Sequence, residues 1–172
     1  QPVVTIETRR LIGVEALLRW NHPVRHLLTP KDFIHVAEES GHVIELGRWV
    51  LQQACADWRR WCRDTGAGPG LRVAVNVSGR HLQQGDLVRD VDDALRASGL
   101  DPGCLVLEFT ESTIMHNTAA NLERLHALKG LGVRLAVDDE PEHLCLARAQ
   151  GMVDVAQQLA GLVGVGTRTK VL

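Results

Sequence analysis

A chain of 172 residues with 45% apolar and 23% charged residues has the composition of one globular domain with a substantial core. Its net charge of −2 argues against a surface for DNA or RNA duplexes, so we expect any nucleotide chemistry to come from a local site. We expect no membrane segment, because no apolar run reaches the roughly 18 residues that a spanning helix needs and no signal peptide opens the chain. The first residue is Gln1 rather than Met, which indicates a piece of a longer protein.

Strand-like and helix-like segments alternate along the chain. Continuous or alternating apolar runs predict strands at residues 10–18, 71–77, 104–109 and 133–137. Capping residues and apolar stripes of period three to four predict helices at residues 29–41, 44–63, 86–99 and 117–130. The stripe of the second helix includes Trp58 and Trp61. This alternation predicts a parallel sheet with right-handed crossovers.

Acidic or amide side chains fall where these four strands should end. They are Glu15, Asn76, Glu108 and the adjacent pair Asp138 and Asp139. A single carboxylate at a strand end is usually a helix cap or a surface group, but oxygen ligands on four successive strand ends indicate one shared site. Mg²⁺ and Mn²⁺ prefer such oxygen ligands, so the pattern predicts a site for hard divalent cations.

Two parallel architectures could hold these strands, an open doubly wound sheet or a closed (β/α)₈ barrel. Phosphate sites in open sheets usually have a glycine-rich first turn, and none follows the first predicted strand. Polar residues at the ends of several strands are typical of the catalytic face of a barrel. Because a full barrel takes about 250 residues, this chain can supply only part of one.

The motif residues together resemble the EAL domain family, the bacterial phosphodiesterases that act on cyclic di-GMP. The resemblance rests on the run E-A-L-L-R-W-N-H-P at residues 15–23, on N-V-S at 76–78, on E-F-T-E-S at 108–112 and on the aspartate pair at 138–139. It implies a TIM-type (β/α)₈ barrel, incomplete in this chain. We expect an EAL-type domain over residues 1–160, truncated or divergent after 139, and a loop or disordered tail over residues 161–172.

The resemblance also implies a two-metal hydrolysis of cyclic di-GMP to linear pGpG, with Mg²⁺ or Mn²⁺. The implied metal ligands are Glu15, Asn76, Glu108, Asp138 and Asp139. Glu15 and Asp139 are implied to be catalytic, and Asp139 would also orient the attacking water. Arg19 matches a phosphate-contacting arginine, and a guanidinium fork suits a phosphodiester. Glu111 matches a glutamate that supports a loop beside the metals.

The sequence departs from the family pattern after Asp139. The family has a glycine-containing loop there, whereas this chain continues with E-P-E-H-L-C-L and has no glycine to provide special backbone angles. Gln157 stands at the position of the family's active-site lysine, and a neutral amide cannot supply that positive charge. These changes predict weak or absent turnover.

Three functions therefore stay open. The chain is an active cyclic di-GMP phosphodiesterase, a degenerate EAL domain that binds the dinucleotide or a partner protein without turnover, or a remnant whose open barrel edge needs another chain. The resemblance implies a bacterial cytoplasmic location. It also implies, as partners, a second copy in a homodimer or sensory and diguanylate cyclase domains in a longer chain.

Overall fold

The structure is a computed structural model that describes residues 1–138, apart from residues 6, 7, 9, 67–69 and 116–118, and gives only the backbone at residues 115 and 138. The described strands are β1 Pro2–Val4, β2 Leu11–Ala16, β3 Trp20–His22, β4 His26–Leu28, β5 Arg72–Asn76, β6 Leu105–Thr110 and β7 Arg134–Asp138. The described helices are α1 Ile34–Ser40, α2 Val43–Thr65, α3 Gly79–Gln84, α4 Leu87–Ser98, α5 Glu111–Met115 and α6 Ala119–Gly130.

Five strands form one mostly parallel sheet in the order β1-β2-β5-β6-β7. Strands β2, β5, β6 and β7 run parallel, and β1 pairs antiparallel with β2. The four parallel strands are those that the sequence predicts, and helices follow them in alternation. The fold class is therefore confirmed as α/β with a mostly parallel sheet.

The core lies between this sheet and the helices on its outer side. Helix α2 packs against α4 and β5, and α4 packs against α6. The buried side chains of α2 and α4 recur at three- and four-residue spacing, and those of β5 and β6 are buried on both faces, as expected for strands covered by crossovers. Central members of this core are Leu51, Cys55, Val91, Leu107 and Phe109, each at most 1% exposed.

Several elements differ from the sequence prediction. Strands β3 and β4 form a separate hairpin, and neither these two strands nor β1, α3 and α5 were predicted. Thr29 is the N-cap residue of a short 3₁₀ turn at Pro30–Asp32 rather than of α1, and Asp32 Oδ2 accepts hydrogen bonds from Thr29 N and Oγ1 at 2.8 and 2.7 Å. Helix α1 begins only at Ile34 and ends at Gly41, whose φ of 82° suits glycine.

Within the described ranges, no helix is both long enough and apolar enough to cross a membrane. The three described cysteines, Cys55, Cys62 and Cys104, carry no disulfide.

Candidate functional site

The predicted oxygen-bearing residues lie along the carboxyl-terminal edge of the parallel sheet. Glu15 is the second-last residue of β2, Asn76 ends β5, and Glu108 stands directly opposite Asn76 in the pairing of β5 with β6. Asp138 ends β7, opposite Thr110. Parallel strands bring their carboxyl ends to one edge, so the sheet places these four residues on neighbouring strands at the same end.

Glu15 and Asn76 touch directly. Asn76 Nδ2 donates a hydrogen bond of 2.8 Å to Glu15 Oε1, although the residues are 61 positions apart in the sequence. Both Glu15 and Glu108 are only 5% exposed. Burying a carboxylate costs free energy unless hydrogen bonds or cations balance its charge. Two buried carboxylates at one edge of a sheet are therefore typical of a functional site.

A cavity of about 570 Å³ opens beside this edge. Its sheet side is formed by Asn76, Glu108 and Thr110, together with Val77 and Ser78 of the segment after β5. The other walls come from residues 16–19 at and just beyond the end of β2, from the Thr29–Lys31 turn and from one face each of α1 and α2. The cavity is therefore lined by oxygen-bearing side chains at the strand ends and by a largely aliphatic wall.

Arg19 also lines the cavity, and its side chain is exposed. Its Nη1 donates to Leu18 O at 2.7 Å, which leaves the remaining N–H donors of the guanidinium available to an anion. Glu111 is the first residue of α5 and is partly buried, directly after the strand that carries Glu108. The phosphate contact of Arg19 and the loop support by Glu111 stay predictions.

Three further predicted residues lie at or beyond the end of the described part of the chain. The backbone of Asp138 is described and its side chain is not, while Asp139 and Gln157 lie outside the described residues. Across the part of the chain that the structure describes, no three His, Cys, Asp or Glu side chains converge as a metal site. Among the predicted metal ligands, the described side chains are therefore two carboxylates and one amide.

A buried polar network behind the cavity was missed in the sequence. His81 is 1% exposed, and its Nε2–H donates to Asp90 Oδ2 at 2.9 Å. Arg48 Nε donates to the other oxygen of Asp90 at 2.7 Å. Burial raises the pKa of the Asp90 carboxyl, but the hydrogen bonds from Arg48 and His81 outweigh burial, so the pKa is lowered overall.

This network holds the wall of the cavity. A Cβ at Gly47, which lines the cavity, would lie 2.5 Å from His81 Nδ1, so the helix α2 backbone rests on the imidazole. The backbone N–H of His81 donates to Ser78 Oγ at 3.1 Å, which caps α3 two residues after Asn76. The sequence signal was Ser78 as a helix cap with a histidine three residues later, but nothing in the sequence identified Asp90 as the partner.

Comparison with known proteins supports the motif reading. The profile of the EAL domain matches residues 1–141. The chain is 41% identical over 139 residues to the bifunctional diguanylate cyclase/cyclic di-GMP phosphodiesterase MucR of Pseudomonas aeruginosa, a match that covers 81% of this chain and 20% of that protein. It is 38% identical over 139 residues to the oxygen sensor protein DosP of Escherichia coli, covering 81% of this chain and 17% of DosP. The chain thus spans about a fifth of the length of these curated relatives.

Solved structures agree. The PaMucR phosphodiesterase in complex with c-di-GMP superimposes with a TM-score of 0.76 at 39% identity, covering 85% of this chain and 58% of that one. The EAL enzyme Bd1971, in its form with cAMP and cyclic di-GMP bound, gives a TM-score of 0.74 at 30% identity, covering 84% of this chain and 40% of that one. EAL domains are TIM-type barrels, and the described sheet is part of one. Because the EAL domain profile matches residues 1–141, most of the chain, this chain belongs to the EAL domain family.

Proposed function

We propose that this chain is a cyclic di-GMP phosphodiesterase-type domain whose site lies at the ends of β2, β5, β6 and β7. The observation that carries the proposal is the contact of Asn76 with the buried Glu15, beside Glu108 on the neighbouring strand, at the edge of a 570 Å³ cavity. The similarity to MucR, a relative named for this activity, supports the choice of substrate. Arg19 would hold a phosphate of the dinucleotide.

The donor set fits hard divalent cations. Glu15, Glu108 and Asn76 offer oxygen, and the donation from Asn76 Nδ2 to Glu15 leaves Asn76 Oδ1 available as a ligand. We propose that these residues, with Asp138 and Asp139, hold two ions of Mg²⁺ or Mn²⁺. Bound ions of this kind lower the pKa of water and offset charge on the phosphodiester oxygens.

This chain's own residues would position the substrate and limit its access to water. Asn76 orients the carboxylate of Glu15 through the 2.8 Å hydrogen bond. The guanidinium of Arg19 would neutralise a phosphate and set its direction. The aliphatic residues of α1 and α2 would exclude water from one side of the ligand, which strengthens the electrostatic interactions inside the cavity.

A second function is supported by the residues after Asp139. The chain there lacks the glycine-containing loop of the family and has Gln157 where the resemblance places a lysine. An amide cannot supply a positive charge near the attacked phosphate, so a domain that binds cyclic di-GMP without hydrolysing it is the alternative.

Turnover separates the two functions. The chain is incubated with cyclic di-GMP and excess Mn²⁺, and the products are separated by chromatography, with Asp138→Asn as the control. Linear pGpG from the wild type alone supports the phosphodiesterase, whereas intact dinucleotide that is still bound by the folded chain supports the binding domain. Loss of both binding and turnover in a folded sample would refute both.

We further propose that the domain works in the bacterial cytoplasm, where its ligand would be found. Its relatives' names combine this kind of domain with diguanylate cyclase or sensor functions, which favours a similar multidomain protein for this chain. A second copy in a homodimer is the other proposed partner, and sedimentation of the purified chain tests it.

A further inference from the structure

Two charged side chains in the cavity have no part in the proposed reaction. Lys31, in the turn before α1, and Glu38, in α1, both line the cavity that contains Arg19 and Glu108. Within the described ranges, neither side chain forms an ion pair or a side-chain hydrogen bond. Both are exposed to the open part of the cavity, so each is available to a ligand.

These two charges stand on an otherwise aliphatic wall. Ile34 and Glu38 are one turn apart on α1, so the same face of this helix carries both. Another part of the lining is one face of α2, with apolar side chains at Val43, Leu46 and Val50 and the backbone of Gly47 between them. Such a wall suits a flat, apolar ring whose edge carries polar groups.

We propose that Glu38 and Lys31 recognise the polar edge of a guanine, which makes them specificity-determining residues of the cyclic di-GMP site. This inference rests on the proposed function. The N1–H and N2–H donors of guanine are adjacent and match the two oxygens of a carboxylate, and O6 is an acceptor for an ammonium. Adenine lacks both the N1–H donor and the O6 acceptor, so the same pair would disfavour an adenine there.

Calorimetric titration of the full chain with three ligands tests the assignment, with Ca²⁺ in place of Mg²⁺ because Ca²⁺ also takes oxygen ligands. The ligands are cyclic di-GMP, cyclic di-AMP and the inosine analogue, which differs from cyclic di-GMP only by the missing N2 amines. Glu38→Gln replaces one acceptor oxygen by a donor. Glu39→Gln is the matched control, since Glu39 is the adjacent exposed carboxylate of α1 and does not line the cavity.

We expect Glu38→Gln to weaken cyclic di-GMP binding about 10- to 100-fold, which is usual for the loss of a hydrogen bond to a charged group. The ratio of the affinities for cyclic di-GMP and the inosine analogue should be smaller in this variant than in the wild type. Lys31→Met is expected to weaken the binding of cyclic di-GMP and of the inosine analogue by the same factor, because both ligands keep O6. Glu39→Gln should bind each ligand with the affinity of the wild type.

The outcomes distinguish this inference from the function on which it rests. If the folded wild type binds none of the three ligands, the proposed function fails. If the wild type binds cyclic di-GMP and Glu38→Gln binds it equally well, with the same preference over the inosine analogue, the guanine assignment is wrong and the proposed function stands. Circular dichroism spectra of each variant verify that the fold is unchanged.

Discussion

Replacing Asp90 by asparagine tests the buried network behind the cavity. Asp90 is 4% exposed and accepts hydrogen bonds from His81 and Arg48. The bond to buried His81 should contribute about 1.5–3 kcal/mol, as is usual for a hydrogen bond to a charged group. The Arg48 side chain is 47% exposed, so solvent screening limits its contribution to about 0.5–1 kcal/mol. Because asparagine keeps one acceptor oxygen, we expect Asp90→Asn to lower the free energy of unfolding by about 2–3 kcal/mol.

Urea unfolding followed by circular dichroism at pH 7 measures this difference. In a thermal scan the same loss should lower Tm by roughly 5–10 °C for a domain of this size. Asp93→Asn is the matched control, because Asp93 lies on the same helix, is 59% exposed and is 3.7 Å from Arg89. The control should lose at most about 0.5 kcal/mol. Equal losses in the two variants would show that the His81–Asp90–Arg48 network does not stabilise the fold.

The pH dependence gives a second readout of the same variant. The folded-state pKa of Asp90 is lowered below its ordinary value of 3.8, so its charged form is favoured by folding. The stabilisation is therefore complete above pH 3.8 and is lost as the pH falls through the lower folded-state pKa. We expect the difference in unfolding free energy between wild type and Asp90→Asn to shrink only below about pH 4.

Three further predictions follow from single side chains. Gly47→Ala should lower the unfolding free energy by about 1–3 kcal/mol in urea, because its Cβ would meet the ring of His81, whereas Gly130→Ala, with open space around it, should not destabilise the chain. Arg19→Ala should weaken cyclic di-GMP binding about tenfold or more in calorimetry and leave Tm unchanged, since its side chain is exposed and its hydrogen bond among the described residues goes to its neighbour's carbonyl. Burial raises the pKa of the Cys55 thiol to about 11, so iodoacetamide at pH 8 should leave Cys55 unmodified in the native chain and label it in urea, as read by mass spectrometry.

Each of these three has a contradicting result. If Gly47→Ala is as stable as the Gly130→Ala control, the His81 ring moves away from the added Cβ at little cost in free energy. An Arg19→Ala chain with unchanged affinity would remove the arginine from the phosphate contact. Rapid native labelling of Cys55 would show that helix α2 opens frequently.

The parallel strands could be predicted because their sequences carry strong local signals. Strand β5 has the apolar run Val-Ala-Val and strand β6 the apolar run Leu-Val-Leu, as in strands buried on both faces, and each strand ends at a polar residue. Once the strands are parallel, the meeting of their carboxyl ends follows from geometry. The sequence therefore predicted that Glu15, Asn76 and Glu108 lie at one edge; in the structure Glu15 and Asn76 are hydrogen-bonded and Asn76 stands opposite Glu108, while their roles stay predictions.

The hairpin of β3 and β4 could not be predicted in the same way. Each strand has three residues, which are too few for a clear alternation of apolar and polar side chains. The hairpin also makes a tertiary contact that local sequence does not encode, since the ring of Trp20 lies edge-on to that of Phe33 with 5.5 Å between the ring centroids. Trp61 was expected on the apolar face of α2 but is 39% exposed, where it stacks on the buried Trp58 at 4.9 Å.

The network of His81 depends on tertiary contacts that local sequence does not encode. His81 and Asp90 lie on different helices, and Arg48 reaches them from a third. The roles of Asp138, Asp139 and Gln157 stay predictions, because the described residues do not include their side chains.

The central claim is that the strand ends form one cation site that binds cyclic di-GMP. Electron paramagnetic resonance of Mn²⁺ measures it most directly, because free and protein-bound ions give different signals. The account predicts saturable Mn²⁺ binding by the wild type that becomes tighter with cyclic di-GMP, and a large loss of that binding in Glu108→Gln. Mn²⁺ that stays free in the presence of the folded chain and the dinucleotide, or that binds Glu108→Gln equally well, would contradict it.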